Sequence, residues 1–137
     1  MKDEGVLDVP EALVRAATSF GGGVGLSKNL CGCVSAAAMA VGLKFGDLTP
    51  VAKAAGPAYA RTKAVVERFR ERYGTVLCGE LTGQFRDFAS PERAYRCGEI
   101  VGFVSEQVKE ILAGGEEQPG WREAWWEDYL SRRDKIK

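Results

Sequence analysis

Residues 19–46 read SFGGGVGLSKNLCGCVSAAAMAVGLKFG, and this stretch decides how the chain folds. It opens on a glycine-rich turn, with Gly21, Gly22, Gly23 and Gly25, where backbone conformations closed to other residues are available. From Cys31 onward, CGCVSAAAMAVGLKFG predicts a helix of small residues closed by Gly46. Its Ala36, Ala37, Ala38 and Ala40 let neighbouring helices approach closely.

The flanking sequence is helical too, with punctuation and no convincing strand alternation. Pro10 suits the first position of a short helix reaching about Ala17. Thr49 and Pro50 read as the cap and first turn of another, which Gly56-Pro57 kinks or restarts. Val65, Phe69 and Tyr73 then recur at helical spacing, and Gly74 ends that helix. Cys78 falls in a glycine-punctuated connection, VLCGELTG. Ser90 and Pro91 start an amphipathic helix whose inward face is expected to carry Cys97, Val101, Val104, Val108 and Ile111. Gly114, Gly115, Pro119 and Gly120 mark a linker to a last segment, WREAWWEDYLSRRDKIK. The expectation is an all-α, single-domain helical bundle over residues 1–115, followed by an amphipathic helical tail over 116–137. There is no internal repeat and no low-complexity tract.

Bulk composition bounds the function. The 137 residues are enough for one domain with a real core, and 45% hydrophobic and 28% charged residues are ordinary for a globular chain. Nineteen basic residues balance nineteen acidic ones, so no overall field draws the chain to nucleic acid or a membrane surface. No apolar run reaches the roughly 20 residues of a membrane span. The N-terminal Met-Lys-Asp-Glu-Gly lacks the apolar region of a signal peptide, so the compartment reads as cytoplasmic.

Four cysteines and no histidine narrow the chemistry further. A chain without imidazole runs no Ser-His or Cys-His nucleophile, no His-ligated zinc and no CxxCH haem attachment. Cys31, Cys33, Cys78 and Cys97 leave three uses: a four-thiolate metal or iron–sulfur site, redox dithiols, or plain burial. Residues two apart point about 200° away from each other in a regular helix, so Cys31 and Cys33 share a ligand only from a helix start. There the unpaired N–H groups and the dipole also favour thiolate over thiol. Cys31, Cys78 and Cys97 are each followed by glycine, which lets backbone approach sulfur or a bound ion. The spacing matches neither a zinc ribbon, nor a thioredoxin-like CxxC, nor the common ferredoxins, and by itself assigns no metal.

Two further features weigh less. FGGGVGLSK lacks the Gly-Lys-Ser/Thr order of a phosphate loop and follows no strand, so a turn shaping the cysteine site is the better reading. The tail holds all three tryptophans, and Trp121, Trp125 and Tyr129 share one helical face. That face is expected to dock on its own domain or on a second copy, making a homodimer. A membrane-surface anchor built on Arg132, Arg133, Lys135 and Lys137 is opposed by Glu123, Glu127 and Asp128.

The stretch 19–46, with CGxxSA and GLKFG at the right distances, resembles the C_GCAxxG_C_C family of redox-active proteins. The resemblance runs from about Ala16 to Leu112, and Cys78 and Cys97 match the two later cysteines of the family. Related domains occur in split-Soret cytochrome c, where a 2Fe–2S cluster accompanies haem. The resemblance therefore implies a redox centre in an all-helical domain; with no haem-attachment motif here, the cytochrome function does not transfer. Family members usually carry an earlier helix with an Asn-Cys-Ala-Gln type motif, and this chain starts after it. Cys33 stands where the family usually has alanine, and two readings follow: it substitutes for that earlier cysteine, or the domain has changed its centre.

The resulting expectation is a redox protein holding a cluster, 2Fe–2S first, through Cys31, Cys33, Cys78 and Cys97. Gly21, Gly22, Gly23 and Gly32 would bring backbone N–H groups to it. Electron transfer with a partner protein, or redox sensing, would be its use. The rivals are a thiol–disulfide protein using Cys31 and Cys33, and a zinc-stabilised interaction module.

Overall fold

The computed structural model describes residues 5–48 and 52–114, together with 127, 128 and 130–132; of residues 52–55 it describes the backbone. Among these residues the chain is all-α. The helices are α1 (Glu11–Ala17), α2 (Gly32–Phe45), α3 (Ala52–Tyr73), α4 (Cys78–Leu81) and α5 (Pro91–Ala113), with a 3-10 turn at Thr18–Phe20. The extended pairing seen is one isolated antiparallel bridge between Leu30 and Leu77. The tryptophans, Thr49 and Pro50 lie outside the described residues.

Helix boundaries follow the local chemistry. Cys31 is the N-cap of α2, and Gly46 closes it by donating to the Gly42 carbonyl at 2.8 Å. Gly74, at φ +77°, stops α3 and donates to Arg70 at 2.7 Å. Ser90 caps α5 by accepting from the Arg93 amide at 3.2 Å, with Pro91 behind it. Pro57 does not restart a helix. α3 runs through it from Ala52. Pro57 lies early in the helix and forgoes little beyond one backbone bond, and its ring is fully buried. Cys78 lies not in irregular chain but at the head of the single turn α4.

Three long helices make the core. Lys44, at the end of α2, donates to the Leu112 carbonyl at the end of α5, so these two helices run side by side in the same direction. α3 runs against both: Arg61 stacks on Phe45 at 3.9 Å, Arg68 reaches Glu110 at 3.0 Å, and Tyr73 meets Phe103 edge-on at 5.5 Å. The small face of α2 makes the close approach possible, with Val34, Ala37, Ala40 and Val41 buried. Val65 and Phe69 from α3 fill the space opposite.

The buried ridge of α5 is Ile100, Val104, Val108 and Leu112, four residues apart throughout. This corrects the expected face at Val101. Val104 and Val108 are buried as expected and Ile111 is half-buried against the core, whereas Val101 is 51% exposed, because the flank it shares with Cys97 turns toward a cavity. That cavity sits where the first turn of α2 and the first half of α5 lie side by side.

Candidate functional site

Two chain crossings build the floor of the cavity. The segments 28–31 and 76–79 zip together: Cys31 N–H donates to Val76 at 2.8 Å, Cys78 N–H to Asn29 at 2.7 Å, and Gly79 N–H to Lys28 at 3.0 Å. Each segment carries a cysteine that starts a helix, and the antiparallel register sets Cys31 opposite Val76 and Cys78 opposite Asn29, placing the two cysteines diagonally across the pairing. The Thr82 hydroxyl donates to the Cys78 carbonyl at 2.7 Å and holds the α4 turn closed.

Over this floor folds the glycine loop. Gly22, Gly23, Val24, Gly25 and Leu26 all have φ between +58° and +70°, a short left-handed turn that L-residues avoid. It is held by Lys28 N–H to Gly22 and Asn29 N–H to Gly23, both 3.0 Å, and by the Ser27 hydroxyl on the Gly23 carbonyl at 2.7 Å. A Cβ on Gly32 would fall 2.7 Å from the Phe20 carbonyl oxygen, and one on Gly79 3.2 Å from Lys28. The glycines after Cys31 and Cys78 thus serve close backbone approach. Gly98, after Cys97, meets nothing within 4 Å and does not.

All four cysteines line one cavity of about 530 Å³, together with Gly21, Gly22, Gly23 and Gly32. Its remaining wall is almost wholly apolar, apart from Arg93 and two hydroxyls. All four cysteines are free thiols. Among the described residues, no three Cys, Asp or Glu side chains are gathered tightly enough to hold a single ion. The structure therefore brings the sequence-expected cysteines to a common wall, spread around it rather than closed on one point.

The thiols are electrostatically unequal. Cys31 is lowered to about 6, first because the Cys33 thiol donates to its sulfur, against the opposing effect of burial. The N–H groups of Cys33 and Val34 at the start of α2 add to this, without closing a full cap hydrogen bond. Cys33 is pushed far up by the same bond to Cys31, and further by burial. The two thiols therefore titrate as a pair, the first proton leaving more readily than from an ordinary thiol and the second less readily. Burial also raises Cys97, while Arg93 pulls the other way.

Sequence reasoning passed over Arg93. It lines the cavity one turn before Cys97 on α5, stacks over Phe88 at 3.3 Å, and donates from Nη1 to the Phe88 carbonyl at 3.0 Å. Its Nε–H is buried without an acceptor. The four-residue spacing from Arg93 to Cys97 was the available signal.

The chain is thus an all-α domain that brings four free thiols to the wall of one largely apolar cavity. Residues 2–111 match the family described as "Putative redox-active protein (C_GCAxxG_C_C)". The chain belongs to that family. No curated protein and no solved structure matches it.

Proposed function

We propose that this redox-active protein holds an iron–sulfur cluster, 2Fe–2S in nuclearity, through Cys31, Cys33, Cys78 and Cys97, and uses it to transfer or sense electrons. The observation that carries the reading is the single cavity lined by all four thiols. Its donor set suits the group: four sulfurs on a largely apolar wall, glycines beside them, and one buried N–H without an acceptor. Sulfurs spread round a cavity fit a multi-atom centre better than a lone zinc, which needs four ligands about 2.3 Å from one point. When bound, the cluster supplies one-electron chemistry; the protein's part is to ligate it, shield it and set its potential. Such a protein works with an electron-transfer partner in a reducing compartment, the cytoplasm. Among the described residues no helix is long and apolar enough to cross a membrane. The reading includes a homodimer, with the Trp-rich tail covering its own domain or the second copy.

One observation favours a second reading, thiol–disulfide exchange. Cys31 and Cys33 are free, lie on one cavity wall, and as a pair lose their first proton more readily than an ordinary thiol, which favours an attacking thiolate. Anaerobic purification, followed by iron, sulfide and thiol analysis, decides between them. The cluster reading expects brown protein with iron and acid-labile sulfide in equal amounts, lost on replacing Cys78 or Cys97 by alanine. Colourless protein that takes up neither on reconstitution, yet reduces disulfides through Cys31, would overturn it.

A further inference from the structure

We propose that Arg93 recognises the negative charge of the sulfur centre in this cavity, its buried Nε–H donating a hydrogen bond to that centre. The proposal rests on the four-cysteine reading and names the residue that would set the properties of that site.

Two contacts to Phe88 hold Arg93 in place. The Phe88 ring covers its guanidinium at 3.3 Å, and the Phe88 carbonyl accepts from Nη1 at 3.0 Å. Both contacts fix the plane of the fork, and neither uses Nε–H, which is buried and has no acceptor. A guanidinium does not shed its charge, and this one is half-buried with its Nε–H cut off from solvent, so an anion on the cavity side is its favoured partner. Among the described residues no aspartate or glutamate lines the cavity, and the anions that can form there are thiolates. A core held by four thiolates concentrates that negative charge, and each electron accepted from a one-electron donor adds one unit more. A fixed cation with a free N–H stabilises the more negative state and so favours reduction.

Arg96 supplies an internal comparison. Its Nε–H is also buried without an acceptor, but its guanidinium lies 5.2 Å over the Tyr73 ring and does not line the cavity. Replacing it removes the same charge and leaves the cavity wall intact, its pull on Cys97 being weaker than that of Arg93.

The test uses the full chain as wild type, Arg93→Gln, Arg93→Lys and Arg96→Gln, each reconstituted anaerobically with ferrous iron and sulfide. Iron and sulfide content, the visible spectrum, and the potential from a mediated dithionite titration are measured on each. In Arg93→Gln the equilibrium for reduction is expected to fall about ten-fold, a potential about 59 mV lower for a one-electron couple. Arg93→Lys keeps the charge but not the N–H and should fall between, while Arg96→Gln shifts less than either. Equal potentials in wild type and Arg93→Gln, at equal iron content, overturn the proposal. If Arg93→Gln does not retain iron, Arg93→Lys is read alone: a lowered potential supports the proposal and an unshifted one overturns it. Loss of iron in both, with helix content and melting temperature unchanged, supports it as a requirement for retention. Loss of iron together with unfolding in both assigns Arg93 a structural role and overturns it. Wild type that takes up no iron or sulfide refutes the four-cysteine reading, and this proposal with it.

Discussion

Gly23 and Cys78 touch so closely that a Cβ on Gly23 would lie 2.6 Å from the Cys78 Cβ, and 2.7 Å and 2.8 Å from the Asn29 amide nitrogen and oxygen. The glycine loop therefore packs directly on a cysteine of the site and on the backbone that positions it.

Gly23→Ala meets both this overlap and a φ of +70°. Left-handed backbone costs roughly 1–2 kcal/mol and overpacking about 1–3 kcal/mol, so a loss of on the order of 3 kcal/mol is expected in urea unfolding. Gly25, at φ +58° with nothing within 4 Å, isolates the first effect, and Gly25→Ala should cost only about 1 kcal/mol. Equal losses at the two positions would contradict the packing.

Val24 is a β-branched residue at φ +67° and is 47% exposed. Glycine there relieves the left-handed strain of about 1–2 kcal/mol and adds backbone entropy worth about 0.5–1 kcal/mol to the unfolded chain. Val24→Gly is therefore expected to raise the melting temperature. A lower one would show that the Val24 side chain contributes packing that its exposure does not suggest.

The Cys31–Cys33 pair gives the metal-free, reduced protein a pH signature. Alkylation of Cys31 should titrate with a midpoint near 6, and Cys33→Ala, by removing the donated thiol proton, should move that midpoint toward the ordinary thiol range. The sign for stability follows. Cys31 has a folded pKa below its unfolded one, so its contribution is full above the unfolded value and is lost as pH falls toward about 6. Cys33 has the opposite shift, so its contribution is present at neutral pH and is lost as pH rises through and beyond the unfolded thiol range. Denaturant midpoints should accordingly rise from pH 6 toward the ordinary thiol range and decline above it.

On α5, Ile100 and Val101 are neighbours with different fates: 1% exposed against 51%. Ile100→Ala should cost about 2–5 kcal/mol, as deletion from a packed ridge does, and Val101→Ala under about 1 kcal/mol. Comparable losses would restore Val101 to the core.

The helices were legible in the sequence because their ends are chemical: Cys31 and Gly46 bound α2, Gly74 ends α3, and Ser90-Pro91 opens α5. The face of α5 is legible at Val104 and Val108 but off-centre at Val101, because Val101 keeps helical period with them as well as Ile100 does. The cavity beside Val101 is what the period alone does not reveal. Gathering of the cysteines was anticipated from glycine context, which holds at Gly32 and Gly79 and not at Gly98. The left-handed turn was foreshadowed only by its glycines, since Val24 and Leu26 adopt it against their own preference. Arg93 was overlooked because an arginine in the first turn of a helix gives no sign of burial until Phe88 folds over it.

The pairing of Leu30 with Leu77 has a consequence for assembly in time. Cys31 and Cys33 are neighbours from the moment they are synthesised, whereas Cys78 joins them only when a long stretch of chain closes on itself, with the entropic delay such closure carries. During that interval the two early thiols have only each other. Under oxidising conditions the first error expected of a nascent chain is a bond between them, so a reducing environment matters most before the fold is finished.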